Sequence, residues 1–298
     1  MSTPDRTSPE GEPRPARPES GATPASGPTA EVRWPRKLPL FGVRVSVTDY
    51  EEAVGAIMAA ARRGAGGVVT ALPVHGVVAA ARDGALGDKI DGFELVAPDG
   101  QPVRWALNAL HGARLSDRVY GPELMLRLCR CAAAEGIGVY LYGSGPEVVE
   151  RLGDNLLRWY PGLRIAGRES PPFRVLAAEE DRQVVARIRQ SGARLLFLGL
   201  GCPLQDEFAF SHRHLVDAVQ VCVGAAFDFH SGNKQMAPTW MQRRGLEWLH
   251  RLAKEPRRLW RRYLLSNTRF LAMFAAALLN LELPPWRAGA ERGRHRPL

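Results

Sequence analysis

Five apolar runs constrain this chain most. GVVTALP (67–73), FELVAPDG (93–100), GVYLYGSG (138–145), RLLFLGLGCP (194–203) and VQVCVGAAFDF (219–229) are strand-like, and most run into glycine or proline. A strand that is apolar on both faces reads as part of a parallel sheet covered by helices on each side. The segments between them have helical signals. Asp49 or Thr48 can cap DYEEAVGAIMAAARR, which stops at Gly64, and Pro146 opens PEVVERLGDNLLRWY. The regular strand–helix alternation predicts an α/β fold: a Rossmann-like, mainly parallel sheet with helices on both faces. PLFGVRVSVTD is expected to give one short strand before the first helix, and VQVCVGAAFDF to be the last clear strand.

Three regions follow. Residues 1–37 are rich in Pro, Ser, Gly, Glu and Arg, with few large apolar side chains, and are expected to be a disordered N-terminal tail. Residues 38–237 carry the strand–helix alternation and form the α/β core. Residues 238–298 show helical patterns only and form a basic helical appendage. The formal net charge is +9, and much of the basic character is local. Arg243, Arg244, Arg251, Lys254, Arg257, Arg258, Arg261 and Arg262 face only Glu247 and Glu255 in the same stretch. A cationic helical arm suits a diphosphate, a nucleic acid or an anionic membrane. FLAMFAAALLNL (270–281) is shorter than the roughly 20 residues needed to cross a bilayer. It suits an interfacial position or self-association, so a homo-oligomer stays open.

The N-terminus lacks a signal-peptide pattern. Cys129, Cys131, Cys202 and Cys222 have neither zinc-ligand nor disulfide-framework spacing. They read as small thiols in a reducing cytosol. The histidines are scattered, so no metal site is expected, and no G-x-S-x-G hydrolase elbow occurs.

In open α/β sheets ligands bind where the loops leave the carboxyl ends of the strands. Polar residues there are the site candidates. Thr70 could hold a phosphate or a sugar, or simply cap the next helix. Asp99 could act as a general base, or belong to a plain Asp-Gly turn. Gly143, Ser144 and Gly145 before Pro146 make an anion-binding turn, without a full dinucleotide fingerprint or a P-loop lysine. Gly199 and Gly201 form a tight loop leading to Gln205, whose amide could read a base or sugar hydroxyls. Asp206 and Glu207 beside it suit a helix N-terminus. Gly224 precedes Asp228, which could bind ribose or be satisfied by its own turn.

In order, T-A-L-P-V-H-G-V-V-A-A, A-P-D-G-Q-P-V-R-W, R-V-Y-G-P-E-L, Y-G-S-G-P, G-L-G-C-P-L-Q-D, G-A-A-F-D-F-H-S-G and A-P-x-W…L-E-W-L-H-R-L…E-P-R-R-x-x-R-R-Y resemble the WecG/TagA/CpsF glycosyltransferases. The resemblance covers about Leu38 to Phe270. It implies an inverting, metal-independent enzyme with no cofactor, using a UDP-sugar as donor and a polyprenyl-diphosphate-linked saccharide as acceptor. The setting implied is the cytoplasmic face of the cell membrane, with peripheral association, in synthesis of cell-surface polysaccharide. The sugar moved is expected to be an N-acetylhexosamine, its uronate or a hexose. By resemblance Asp99 is the base, and Thr70 lies near donor and acceptor. Arg118 meets phosphate or acceptor, Gln205 meets the donor, and Asp228 lines the nucleotide pocket. Arg251, Arg257, Arg258, Arg261 and Arg262 meet the acceptor diphosphate or the membrane. Leu72 departs from the family's usual Asn, and Leu204 and Asp206 depart from its P-K-Q-E. Two readings from other classes remain: a nucleotide- or nucleic-acid-binding protein with a Rossmann-like core, and an NAD-dependent oxidoreductase. With a glycosyltransferase, no nucleic-acid partner is expected.

Overall fold

The computed structural model describes residues 31–172, 174 and 176–281. The tail expected to be disordered lies outside the described residues up to residue 30, as does the appendage beyond residue 281. Val32 and Trp34, on the tail side of the boundary expected from composition, already pack against the core.

The chain enters through a hairpin of β1 (Lys37–Leu40) and β2 (Val43–Ser46), paired antiparallel. One strand was expected here. Phe41 and Gly42 both take positive φ (51° and 91°), which folds the run back within two residues. Next come α1 (Tyr50–Arg63), β3 (Val68–Leu72), α2 (Val74–Arg82), α3 (Gly84–Asp91), β4 (Leu95–Pro98) and α4 (Gln101–His111). The Asp49 carboxylate caps α1 by accepting from the Glu52 N–H at 2.9 Å. Helix α3 was not anticipated. Asp83 ends α2 and caps α3 by accepting from the N–H groups of Ala85 and Leu86. The chain continues through α5 (Gly121–Glu135), β5 (Gly138–Gly143), α6 (Pro146–Trp159), β6 (Arg164–Glu169), α7 (Ala178–Gln190), β7 (Leu195–Gly199), α8 (Leu204–His212) and β8 (Val219–Cys222). It ends in α9 (Ala226–His230), α10 (Thr239–Arg243), α11 (Glu247–Lys254) and α12 (Pro256–Leu278).

Six strands form one parallel sheet in the order β4-β3-β8-β7-β5-β6. Successive side chains on a strand point to opposite faces, so the apolar runs divide between two cores. Val68, Leu72, Leu196, Leu198 and Cys222 face one. Val69, Leu195, Phe197, Val219 and Val221 face the other. Leu72, where the resembled family usually has Asn, is fully buried in the first core. The last strand stops at Cys222. The A-F-D-F residues read as its continuation belong to helix α9, so Asp228 sits on a helix.

The C-terminal helices lie on the core. Phe270 of α12 is buried and meets Phe41 edge-on at 5.3 Å. Met273 and Phe274 pack against the first core, and Leu259 is buried. The opposite side of α12 is apolar yet open: Leu264 and Leu271 are 60% and 63% exposed. Among the described residues no helix is long and apolar enough to cross a membrane.

Candidate active site

Asp99 stands just past β4. Its N–H donates to the Leu72 carbonyl at 3.2 Å, tying it to the end of β3, while the Val119 N–H donates to the Pro98 carbonyl at 3.1 Å. The second bond brings the 112–120 loop, and Arg118, beside Asp99. Gly100, at φ 112°, turns the chain away into α4. Gly121 opens α5 with its N–H donating to the Asp99 carboxylate. A Cβ on Gly121 would meet Ala71 Cβ at 3.2 Å and the Val223 carbonyl at 3.4 Å, so the ends of β3, β4 and β8 close around this point.

Four side chains meet here. Arg118 Nη1 lies 3.9 Å from Asp99 Oδ1, and Arg118 Nη2 donates to Glu247 Oε2 at 2.6 Å. The Tyr120 hydroxyl donates to Glu247 Oε1 at 2.5 Å, and the Arg118 guanidinium lies 4.2 Å from the Tyr120 ring centre. The side chains of Asp99, Arg118 and Glu247 are only 16%, 8% and 11% exposed. Burial pushes the Asp99 carboxyl up from 3.8 to about 7. Arg118, the Gly121 N–H and Arg251 oppose the rise, and Glu247 adds to it. A carboxylate poised near neutrality can accept a proton from a hydroxyl. Burial also holds the Tyr120 hydroxyl well above its ordinary value, with the Glu247 charge next.

Thr70 lies elsewhere in the sheet and is buried. Its hydroxyl donates to Asp206 Oδ1 at 2.6 Å. Asp206 has no solvent exposure, and burial pushes its carboxyl up to about 6. With Asp206 ionised, the Thr70 hydrogen is committed to it, and Thr70 has only lone pairs to offer. Those lone pairs suit a hydroxyl or N–H partner.

Gln205 joins two glycine loops. Its Oε1 accepts from the Gly201 N–H at 3.2 Å, and a Cβ on Gly224 would lie 3.3 Å from the same atom. Gly143 and Gly199 have a packing reason to be glycine. A Cβ on Gly143 would meet the Gly199 backbone at 2.6 Å, and one on Gly199 would meet the Phe227 ring at 2.5 Å. Ser144, at φ 56°, donates its N–H to the Gly199 carbonyl.

Asp228 is held by partners beyond its helix. Asn233 Nδ2 donates to Oδ1 at 2.6 Å, and Lys234 Nζ lies 3.1 Å from Oδ2. The same ammonium lies 3.4 Å from Glu255 Oε1, which links Asp228 to the arm. The arm's arginines divide in two. Arg251 stands 5.7 Å from the Phe229 ring centre and acts on Asp99. Arg251 and Arg262 also act on His75, whose imidazole is pushed down to about 4, chiefly by burial. Arg251 is half-buried, whereas Arg257, Arg258, Arg261 and Arg262 are exposed. Arg258 pairs with Glu255, and Arg261 covers Trp260 at 5.2 Å. Among the described residues no group of three or more His, Cys, Asp or Glu side chains is placed to hold a metal ion.

Sequence reasoning missed Glu247, Tyr120, His75 and the buried role of Asp206. One signal was available: Glu247 and Glu255 are the two acids in a strongly basic stretch, and each is turned onto a core residue.

The family model described as glycosyl transferase WecG/TagA/CpsF matches residues 38–283. A curated relative from Bacillus subtilis (strain 168) is named N-acetylglucosaminyldiphosphoundecaprenol N-acetyl-beta-D-mannosaminyltransferase. It is 31% identical over 201 residues, which is 67% of this chain and 75% of the relative. A relative of the same name from Bacillus spizizenii is 34% identical over 172 residues, covering 57% of this chain and 64% of its own length.

Proposed function

We propose, from the premise that this chain belongs to the WecG/TagA/CpsF glycosyltransferase family, that it transfers a sugar from a UDP-sugar to a saccharide carried on a polyprenyl diphosphate. The names of the relatives make N-acetylmannosamine the first donor sugar to try and diphosphate-linked N-acetylglucosamine the first acceptor. The reading rests most on one observation. Asp99 is nearly buried at the carboxyl end of a parallel strand, poised at about 7, with Arg118 and Arg251 acting on it.

In the proposed reaction Asp99 takes the proton from an acceptor hydroxyl. The hydroxyl oxygen attacks the anomeric carbon from the face opposite the nucleotide. The bond to the diphosphate breaks as the new C–O bond forms, UDP leaves with the electron pair, and the anomeric configuration inverts. Charge on the departing diphosphate is met by arginines and backbone N–H groups. Arg251, which acts on Asp99, and Arg262, which with Arg251 acts on His75, fit that role, and it requires neither metal nor cofactor. Transfer that persists in EDTA is the expected outcome; a strict divalent-metal requirement would remove this part of the account.

The exposed side of the arm supports peripheral docking on the cytoplasmic membrane face. Trp260, Leu264, Leu265 and Leu271 share α12 with Arg257 and Arg261, and all of these side chains are exposed. Basic side chains near anionic lipid contribute about 1 kcal/mol each, and apolar ones can enter the headgroup boundary. The product would feed a cell-surface polysaccharide. UDP release with a lipid-diphosphate acceptor, scanned over UDP-sugars, tests the reading. No acceptor-dependent release with any of them would overturn it.

A further inference from the structure

The basic arm carries two carboxylates, and the structure gives both a task on the core. Glu255 closes a chain through Lys234 to Asp228. Glu247 reaches further in. It is buried, 129 positions from Arg118 in sequence, and takes one bond from that guanidinium and another from the Tyr120 hydroxyl. Gly245, just before α11, sits against α4, where a Cβ would lie 3.0 Å from Trp105 and 3.1 Å from Gln101 Cβ. Gln101 Nε2 donates to Asp117 Oδ1, which also accepts from the Arg118 N–H. The arm and the Arg118 loop are thus fixed to one another at two points.

We propose that Glu247 is a positioning residue of the active site: the arm places this carboxylate on Arg118 and so sets how strongly that arginine holds Asp99. The inference rests on the assignment of Asp99 as the base. Arg118 lies between two carboxylates, in bonding contact with Glu247 at 2.6 Å and 3.9 Å from Asp99. Were Glu247 absent, the guanidinium would be free to pair fully with Asp99, and a carboxylate so paired is a weaker base. Tyr120 supports the arrangement on both sides, bonding Glu247 through its hydroxyl and stacking under Arg118 with its ring. The groups that act on Asp99 are Arg118 and the Gly121 N–H from the loop and start of α5, and Glu247 and Arg251 from α11. Tyr50 of α1 and Tyr120 are also within its electrostatic reach. Burial is the main cause of the raised Asp99 pKa, and Glu247 is the group in this set that adds to it. It belongs to the arm, so the arm takes part in setting the base.

The test is the pH profile of kcat/KM for the full chain, using UDP-N-acetylmannosamine and a short-chain lipid-diphosphate N-acetylglucosamine. Wild type, Glu247→Gln and Glu247→Asp are compared after their folds are checked by circular dichroism. Glu247→Gln is expected to move the acidic limb down by about one pH unit and to lower kcat about tenfold or more. Glu247→Asp keeps the charge and is expected to return the limb toward the wild-type position. If Glu247→Gln does not fold, Arg118→Gln reads the network from its other side, and its limb is expected to move up. A slower enzyme with an unmoved limb, in whichever of the two variants folds, overturns the proposal. Absence of transfer by wild type with any UDP-sugar instead removes the underlying glycosyltransferase reading, so the two failures are distinguishable.

Discussion

Asp99 and Asp206 are carboxylates that burial holds above the ordinary value of 3.8, at about 7 and about 6. Ionising either costs more in the folded chain than in the unfolded one. Their contribution to stability is therefore whole below pH 3.8 and is lost as pH rises through about 6 and about 7. Asp99→Asn should flatten this dependence and stabilise the protein at pH 8 by on the order of 2–4 kcal/mol. Urea unfolding at pH 5 and pH 8 measures it; equal pH slopes for variant and wild type would show that Asp99 ionises without penalty. Asp99 and Arg118 were legible in the sequence because strand-end polar residues are few and the family motif includes both. Glu247 and Asp206 were not. Their partners lie 129 and 136 positions away, and no local spacing encodes such a pair. Asp206 in particular reads as an ordinary first-turn acid, since its burial under the end of β3 is a property of the assembled sheet.

At the scale of elements, the parallel sheet was readable because its strands are buried on both faces and carry that burial in their composition. The β1–β2 hairpin, α3 and α9 were not. Each is short, and each depends on a turn or cap that competes with continuing the neighbouring element. The strand ends at β5 and β7 are set by close packing. Gly143→Ala would drive a Cβ into the Gly199 backbone at a positive φ of 142°, and we expect a loss of roughly 2–4 kcal/mol. A melting temperature within a degree of wild type would contradict this packing. The arm's outward face makes a separate prediction. The double variant Arg257→Gln/Arg261→Gln should weaken binding to anionic vesicles by about 2 kcal/mol, roughly thirtyfold. Unchanged sedimentation with such vesicles would show that these arginines do not face lipid.

For the molecule as a whole, the helical arm and the sheet are joined around Asp99 and Asp228. Glu247 and Glu255 fasten the arm to Arg118 and to Lys234–Asp228, and Phe270 anchors its far end on the hairpin turn. In the proposed reaction the sheet supplies the base at a strand end, and the arm supplies arginines for the diphosphate. The most direct measurement is sugar transfer by wild type and by folded Asp99→Asn, with UDP-N-acetylmannosamine and a lipid-diphosphate N-acetylglucosamine acceptor. Wild type is expected to transfer, and the variant to lose at least about a hundredfold in kcat. Near-wild-type turnover by the folded variant would contradict the central claim that Asp99 is the base.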